Sequence, residues 1–412
     1  MKIMLVNTYY EPEIVGGAEK SVQKLAEAYV KSGNEVTVLC TCKNEKKSRY
    51  INGVKVIRIH PNNFGRRYDL QFEDFSKYPL LKHIFYRLLF ITKAVYLIDT
   101  YNPRNFKIIS EIIKTEAPDV IHTNGLYEIT PVVWKCAKKN GVKVVHTVRD
   151  YYLLCINGNL KSSRTNQVCK SPRFLCSFRQ RLNIRFLRWV DVCTSPSKAT
   201  SQIITESLKK PVITVYNAID YDEEYVTNLA KKKINALRRK KNFSIVYIGA
   251  LSSFKGVDWL LENFMKISGT NIELHIAGSG PLESRVKECA LLDNRIIFHG
   301  FLSEQQLNSL LEKSDILICP SMWSEPFGRI ILDAYKNAMP VITTGFGGMG
   351  EIVDPYKTGL ILDLNNENSL KESLTFYIDN LDNLKNGIEQ TVDKLKEFSV
   401  KEQESHFMDI YR

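Results

Sequence analysis

One feature constrains this chain more than any other. Short apolar runs rich in β-branched residues alternate with amphipathic helical stretches along its whole length. In the first half the runs are 2–7, 35–40, 54–59, 119–123, 142–147 and 191–195; in the second they are 243–248, 272–277, 295–299, 315–319 and 340–343. They are continuous rather than alternating, which fits strands covered on both faces of a parallel sheet. After Gly16-Gly17, the spacing of Val22, Leu25, Ala26 and Tyr29 is that of one helix face. Ser303, with Gln306 three residues on, offers a capping box for another helix. Strand–helix alternation throughout predicts an α/β, doubly wound fold, and the right-handedness of βαβ crossovers makes each half Rossmann-like.

At 412 residues the chain is too long for one ordinary core and suits two domains. The segment 221–242 is highly charged, and regular strands resume only at Phe243. The expected division is therefore 1–216 and 217–394, with a C-terminal helix, 395–412, able to pack back on the first domain. Ligands of such sheets bind beyond the carboxyl ends of the strands, so two such domains facing each other would hold an active site in the cleft between them. No stretch reaches the roughly 20 uninterrupted apolar residues of a membrane-spanning helix. The opening residues read as a first strand rather than a secretory signal, and the expected location is cytoplasmic. The nine cysteines form no Cys-x-x-Cys pair. Reduced thiols are expected, with Cys155, Cys169 and Cys176 leaving a structural metal as the other reading.

Net charge is +12, and it is unevenly spread. Residues 1–200 carry +17 and the remainder −5. From 151 to 190 there is no acidic residue, while Lys161, Arg164, Lys170, Arg173, Arg179, Arg181, Arg185 and Arg188 accumulate. Such asymmetry suggests that the first half meets a polyanion: nucleic acid, an acidic membrane surface or a diphosphate-bearing substrate. Segment 79–99 pairs a wide apolar face with a strip of Lys82, His83, Arg87 and Lys93. It reads either as a core helix or as one lying at a lipid interface. On the second reading the protein is peripheral at the inner face of the membrane and binds anionic vesicles in a salt-sensitive way.

The strongest chemical constellation is Ser324-Glu325-Pro326-Phe327-Gly328-Arg329-Ile330-Ile331-Leu332-Asp333-Ala334. It follows a strand ending near Pro320 and opens a helix, whose first N–H groups can hold a phosphate. Glu325 and Asp333 supply carboxylates, which are natural acceptors for paired sugar hydroxyls. For one carboxylate alone, complementing the helix dipole would be sufficient explanation.

This string resembles the retaining glycosyltransferases of the GT-B fold, family 4. Gly16-Gly17-Ala18-Glu19 is similar to that family's glycine loop after the first strand, and Asn217-Ala218-Ile219-Asp220 to its Asn-Gly-Ile/Val-Asp turn. Gly249 through Lys255-Gly256 is similar to its phosphate-binding segment. Gly278-Ser279-Gly280-Pro281 and Gly347-Gly348-Met349-Gly350-Glu351-Ile352-Val353 match two further signatures. The resemblance implies that Glu325 touches the donor sugar's hydroxyls, Asp333 the nucleotide ribose, and Lys255 the diphosphate. It implies that Gly16 and Gly17 approach the phosphate and that Gly347 and Gly348 line the sugar pocket. Gly278, Gly280 and His299 would frame the nucleoside, and Phe327 and Gly328 belong to the donor-binding loop.

Three departures from the family pattern stand out. Asp333 replaces a second Glu, Ala250 stands where many relatives have Arg, and Arg149-Asp150 stands where many have His-Asp. Arg149 cannot serve as a base, being always protonated. Its planar fork suits phosphate oxygens, so it either supplies the cation missing at Ala250 or pairs with Asp150 or another carboxylate and shapes the loop.

The resulting expectation is a nucleotide-sugar-dependent, retaining transferase. Its acceptor is a glycan or a polyprenyl-diphosphate-linked acceptor of surface polysaccharide or glycolipid synthesis. The nucleoside-diphosphate sugar is a co-substrate; no further cofactor and no essential metal are expected. A catalytically impaired homologue serving as a partner or scaffold subunit is the alternative. An NAD enzyme would want Gly-x-Gly-x-x-Gly after the first strand, which 7–17 lacks. No recognisable nucleic-acid-binding module is present, and nucleic acid is not an expected partner.

Overall fold

A computed structural model describes residues 1–13, 16–42, 48–60, 102–126, 129–155, 158, 160, 169, 172, 174–269 and 271–412. The amphipathic segment 79–99 lies outside the described residues, as do Lys161, Arg164, Lys170 and Arg173 of the basic run. The chain forms two compact units. One comprises Met1–Pro196, Ser201–Val215 and Glu404–Arg412; the other comprises Ser197–Thr200 and Tyr216–Gln403.

The first unit contains strands β1 (Lys2–Val6), β2 (Glu35–Thr41), β3 (Arg49–Ile51), β4 (Val54–Ile59), β5 (Val120–Thr123), β6 (Lys143–Thr147), β7 (Val192–Ser195) and β8 (Val212–Thr214). They form one sheet in the order β3-β4-β2-β1-β5-β6-β7-β8. Its pairings are parallel except that of β3 with β4. The chain starts at β1, works outward to one side, then returns to β5 and works outward to the other. The topological switch thus falls between β1 and β5, where ligands of such sheets bind. Helices α1 (Gly17–Lys31), α2 (Pro103–Glu116), α3 (Val132–Lys139), α4 (Phe174–Leu187) and α5 (Lys198–Leu208) connect the strands. Helix α1 buries Val22, Leu25, Ala26 and Tyr29, the face its spacing predicts.

The second unit carries β9 (Phe243–Ile248), β10 (Ile272–Ala277), β11 (Ile296–Gly300), β12 (Ile316–Cys319), β13 (Val341–Thr343) and β14 (Gly359–Ile361). All pairings are parallel, in the order β11-β10-β9-β12-β13-β14, with the switch between β9 and β12. Neighbouring residues of one strand enter different cores. Ile245, Ile316, Ile318 and Ile342 pack on one face; Val246, Leu317, Cys319 and Val341 pack on the other. Each such side chain contributes about 1.5–3 kcal/mol on full burial, which is why these runs are apolar without interruption. The flanking helices are α6 (Glu223–Leu237), α7 (Val257–Phe264), α8 (Glu283–Leu292), α9 (Glu304–Lys313), α10 (Arg329–Lys336), α11 (Met349–Ile352), α12 (Ser369–Ile378) and α13 (Leu381–Leu395). The last helix, α14 (Val400–Tyr411), places Phe407 and Tyr411 in the core of the first unit.

The charged segment 221–242 is mostly helix α6, which Asp222 caps and whose Val226, Leu229, Ala230 and Leu237 are buried. All nine cysteines are free thiols. Among the described residues no group of three His, Cys, Asp or Glu side chains could hold a metal ion. No helix among them is long and apolar enough to cross a membrane.

Candidate active site

The carboxyl ends of β9 and β12 carry the residues that the sequence singles out. Beyond β9 the chain makes a single 3-10 turn, Ser253–Lys255, and Gly256 follows it at φ 78° before α7 begins. A Cβ at Gly256 would lie 1.9 Å from the Pro320 carbonyl oxygen. Only glycine therefore lets this turn press against the exit of β12, and the Met322 amide seals the contact by donating to the Phe254 carbonyl at 2.8 Å.

That packing brings Lys255 to Glu325. Lys255 Nζ lies 2.5 Å from Glu325 Oε1, with side-chain exposures of 27% and 11%. The same oxygen accepts from Ser321 Oγ at 2.9 Å and from the Trp323 indole N–H at 2.8 Å. The backbone around Glu325 is locked as well. It forms an isolated parallel bridge with Gly347, and the Gly348 amide donates to the Glu325 carbonyl at 2.8 Å. A Cβ at Gly347 would fall 2.2 Å from that carbonyl, at a φ of 69°.

Gly328 starts α10, and Asp333 lies on this helix, partly exposed. Phe327 turns its ring away into the core, 3% exposed, against Tyr216 and Phe398. Gly278 and Gly280 follow β10. The Gly278 amide donates to the Gly300 carbonyl at 2.8 Å and the Leu251 amide to the Ser279 carbonyl at 2.9 Å, so the exits of β9, β10 and β11 are laced together. His299 on β11 stacks on His275, Nε2 to Nδ1, at 2.9 Å. Burial holds both imidazoles below the usual histidine range, so they are neutral near pH 7.

Glu351, within the last glycine signature, has a role that sequence reading did not assign. Its carboxylate accepts the Lys198 and Ala199 amides at 2.8 and 2.7 Å and the Tyr216 hydroxyl at 3.1 Å. This acidic residue caps two amides of Ser197–Thr200, a segment of the same second unit. Its sequence signal was the glycines beside it, which point to a tight turn and not to a cap.

Gly16, Gly17 and Arg149 lie in the first unit. Gly16 is the N-cap of α1, and its amide donates to Glu19 Oε2 at 2.9 Å, so in this state that N–H is already occupied. Arg149 follows β6 and is buried, with Nε donating to Asn124 Oδ1 at 2.7 Å. Its charge, after burial, helps depress the neighbouring imidazoles His122 and His146.

The chain resembles known proteins over most of its length. Residues 15–223 match the family described as Glycosyltransferase Family 4, and residues 230–392 match Glycosyl transferases group 1. An uncharacterized 42.6 kDa protein in the cps region of Klebsiella pneumoniae is 31% identical over 362 residues, covering 85% of this chain and 87% of its own. Sucrose-phosphate synthase of Thermosynechococcus elongatus superposes with a TM-score of 0.73 at 17% identity, over 100% of this chain and 98% of that one. Anabaena HepE, solved in complex with UDP, gives 0.67 at 16% identity over 100% and 99%. At these identities the structural likenesses speak for the fold alone: the GT-B class, built of two parallel α/β units.

Proposed function

We infer the function from one premise: this chain belongs to Glycosyltransferase Family 4. It moves a sugar from a nucleoside-diphosphate sugar to a glycan or lipid-linked acceptor, with retention of anomeric configuration. The observation that carries this reading is the Lys255–Glu325 pair at the switch point of the second sheet. A cation for the diphosphate and a carboxylate for sugar hydroxyls stand side by side there, within glycine-rich backbone that a ligand can approach closely.

In this reading Lys255 neutralises the departing diphosphate and Glu325 holds the sugar as it becomes oxocarbenium-like. Asp333 takes the ribose, and Gly278, Gly280 and His299 border the nucleoside. The leaving phosphate oxygen accepts the acceptor's proton, so catalysis comes from positioning and from charge stabilisation rather than from a covalent nucleophile. No metal enters the scheme. Arg149 adds a second cation to the diphosphate in place of the arginine absent at Ala250.

HepE was solved with UDP, which supports a nucleotide-sugar donor. The relative in a cps region supports surface polysaccharide synthesis as the pathway, which would place the enzyme at the inner face of a membrane.

The test is a panel of UDP-, GDP- and ADP-sugars with lipid-linked and free glycans, run with and without EDTA. Release of nucleoside diphosphate and an NMR assignment of the product anomer are the readouts. Retention, unaffected by EDTA, is expected; inversion would refute the stereochemical part. Neither binding nor turnover of any donor would favour the scaffold-subunit alternative. For Arg149, Arg149→Ala should weaken diphosphate binding, and adding Ala250→Arg should restore part of it.

A further inference from the structure

One side chain at this site touches both ionic partners. Trp323 gives its indole N–H to Glu325 Oε1 at 2.8 Å, and the centre of its ring lies 5.5 Å from Lys255 Nζ. That separation is within cation–π range. Phe254, next to Lys255 in the chain, braces the indole edge-on, with ring centroids 6.1 Å apart and planes at 90°. Neither sequence motif nor family membership assigns Trp323 a task.

The arrangement matters when a diphosphate competes for Lys255. At rest the ammonium and the carboxylate neutralise each other. A diphosphate carries more negative charge than one carboxylate and draws Nζ away. Glu325, only 11% exposed, would then lose its cation in a largely dry site, which is costly unless other donors hold it. The Trp323 N–H and the Ser321 hydroxyl, both already on Oε1, would then be the donors left to hold the carboxylate in place. The indole face meanwhile keeps an ammonium nearby without competing for its hydrogen bonds.

Resting on the glycosyltransferase reading above, we propose that Trp323 is a positioning residue that lets Lys255 pass from Glu325 to the donor's diphosphate while Glu325 keeps its orientation toward the sugar. Its two functions separate by substitution. Trp323→Phe keeps a ring face and removes the N–H; Trp323→Leu removes both.

The Phe variant should lower kcat about tenfold, the loss expected for one hydrogen bond to a charged group. Its KM for the donor, and its affinity for UDP, ADP or GDP alone by calorimetry, should stay within about threefold of wild type, because the ring face survives. The Leu variant should weaken diphosphate binding as well, by about fivefold or more. A readout independent of turnover is the 15N-indole spectrum. The Trp323 signal, identified by its absence from the Phe variant, should move on adding the nucleoside diphosphate that binds, and stay still in Lys255→Met.

An unmoved indole signal with unchanged kcat in Trp323→Phe would overturn the proposal. So would a parallel fall of kcat, diphosphate affinity and unfolding temperature in that variant, which is the signature of a merely structural ring. If the wild-type protein neither binds a nucleoside diphosphate nor turns over any donor, the glycosyltransferase reading itself fails, a result distinct from either of those.

Discussion

Glu325 accepts three hydrogen bonds on one oxygen, so its replacement by Gln preserves shape while removing charge. Glu325→Gln should lower turnover at least about tenfold, about 1.4 kcal/mol of barrier, with thermal unfolding close to wild type. Near-normal turnover on the true donor would take Glu325 out of the site. Gly347 tests the backbone beside it. Gly347→Ala combines a positive φ with a Cβ 2.2 Å from the Glu325 carbonyl, whereas a Cβ at Gly33, where φ is 80°, would meet nothing within 4 Å. Gly33→Ala should cost only the left-handed strain, about 1 kcal/mol, with activity retained. Gly347→Ala should cost more in urea unfolding and should also abolish most turnover, because Glu325 must shift; equal costs and full activity would contradict the zipped geometry. Glu325, Lys255 and the glycines were singled out in the sequence by the family motifs they resemble, Lys255 by that resemblance alone. The roles of Trp323 and Glu351 were not legible, because they depend on partners 68 and 153 residues away that only the folded sheet brings near.

At the level of elements, every long apolar run became a strand, since burial on both faces leaves an uninterrupted signal. The strands that sequence reading missed are β3, β8 and β14. Each has three residues and lies at a sheet edge, too short to show a period. Helix α6 was hidden for another reason: its many charges mask a narrow buried face. It carries Lys233, whose ammonium donates to the Ser314 carbonyl at 2.6 Å and the Asn337 carbonyl at 2.7 Å, with Leu311 at 3.4 Å. Ser314 and Asn337 are the C-caps of α9 and α10, so one lysine satisfies the ends of two helices that flank the sheet. Lys233→Met keeps the packing stem and leaves those carbonyls without their donor. It should destabilise the protein by about 1–3 kcal/mol in urea unfolding. By comparison, Ser303→Ala, which removes the capping box of α9, should cost about 1 kcal/mol. A Lys233→Met variant as stable as wild type would show that water replaces the ammonium without loss.

On the scale of the whole molecule, the buried histidines of the first unit tie its stability to pH. The first unit encloses a polar chain: the Tyr29 hydroxyl lies 2.9 Å from that of Tyr411, which lies 2.6 Å from His122 Nδ1, and His122 Nε2 lies 2.6 Å from Thr147 Oγ1. His146 lies beside it, 2.9 Å from Thr123 Oγ1. Burial, reinforced by Arg149, pushes His122 well below the usual histidine range and His146 down to about 3. Both are therefore neutral in the folded protein and take up a proton on unfolding in mild acid. For a base whose folded value is depressed, the stabilisation is complete above the unfolded value of about 6.5 and is lost as pH falls below it. For His146 the loss runs from about 6.5 down to about 3, at up to about 1.4 kcal/mol per pH unit, and His122 adds a like slope from the same starting point. Urea unfolding at pH 7.5, 6.0 and 5.0 should show this decline in the wild-type protein. His146→Gln should be less stable at pH 7.5, having lost a buried partner for Thr123, yet fall less steeply toward pH 5.0 by one imidazole's share. Parallel slopes for variant and wild type would mean that His146 is protonated in the folded protein at its ordinary pH, and that the buried chain is not the acid-sensitive part of this molecule.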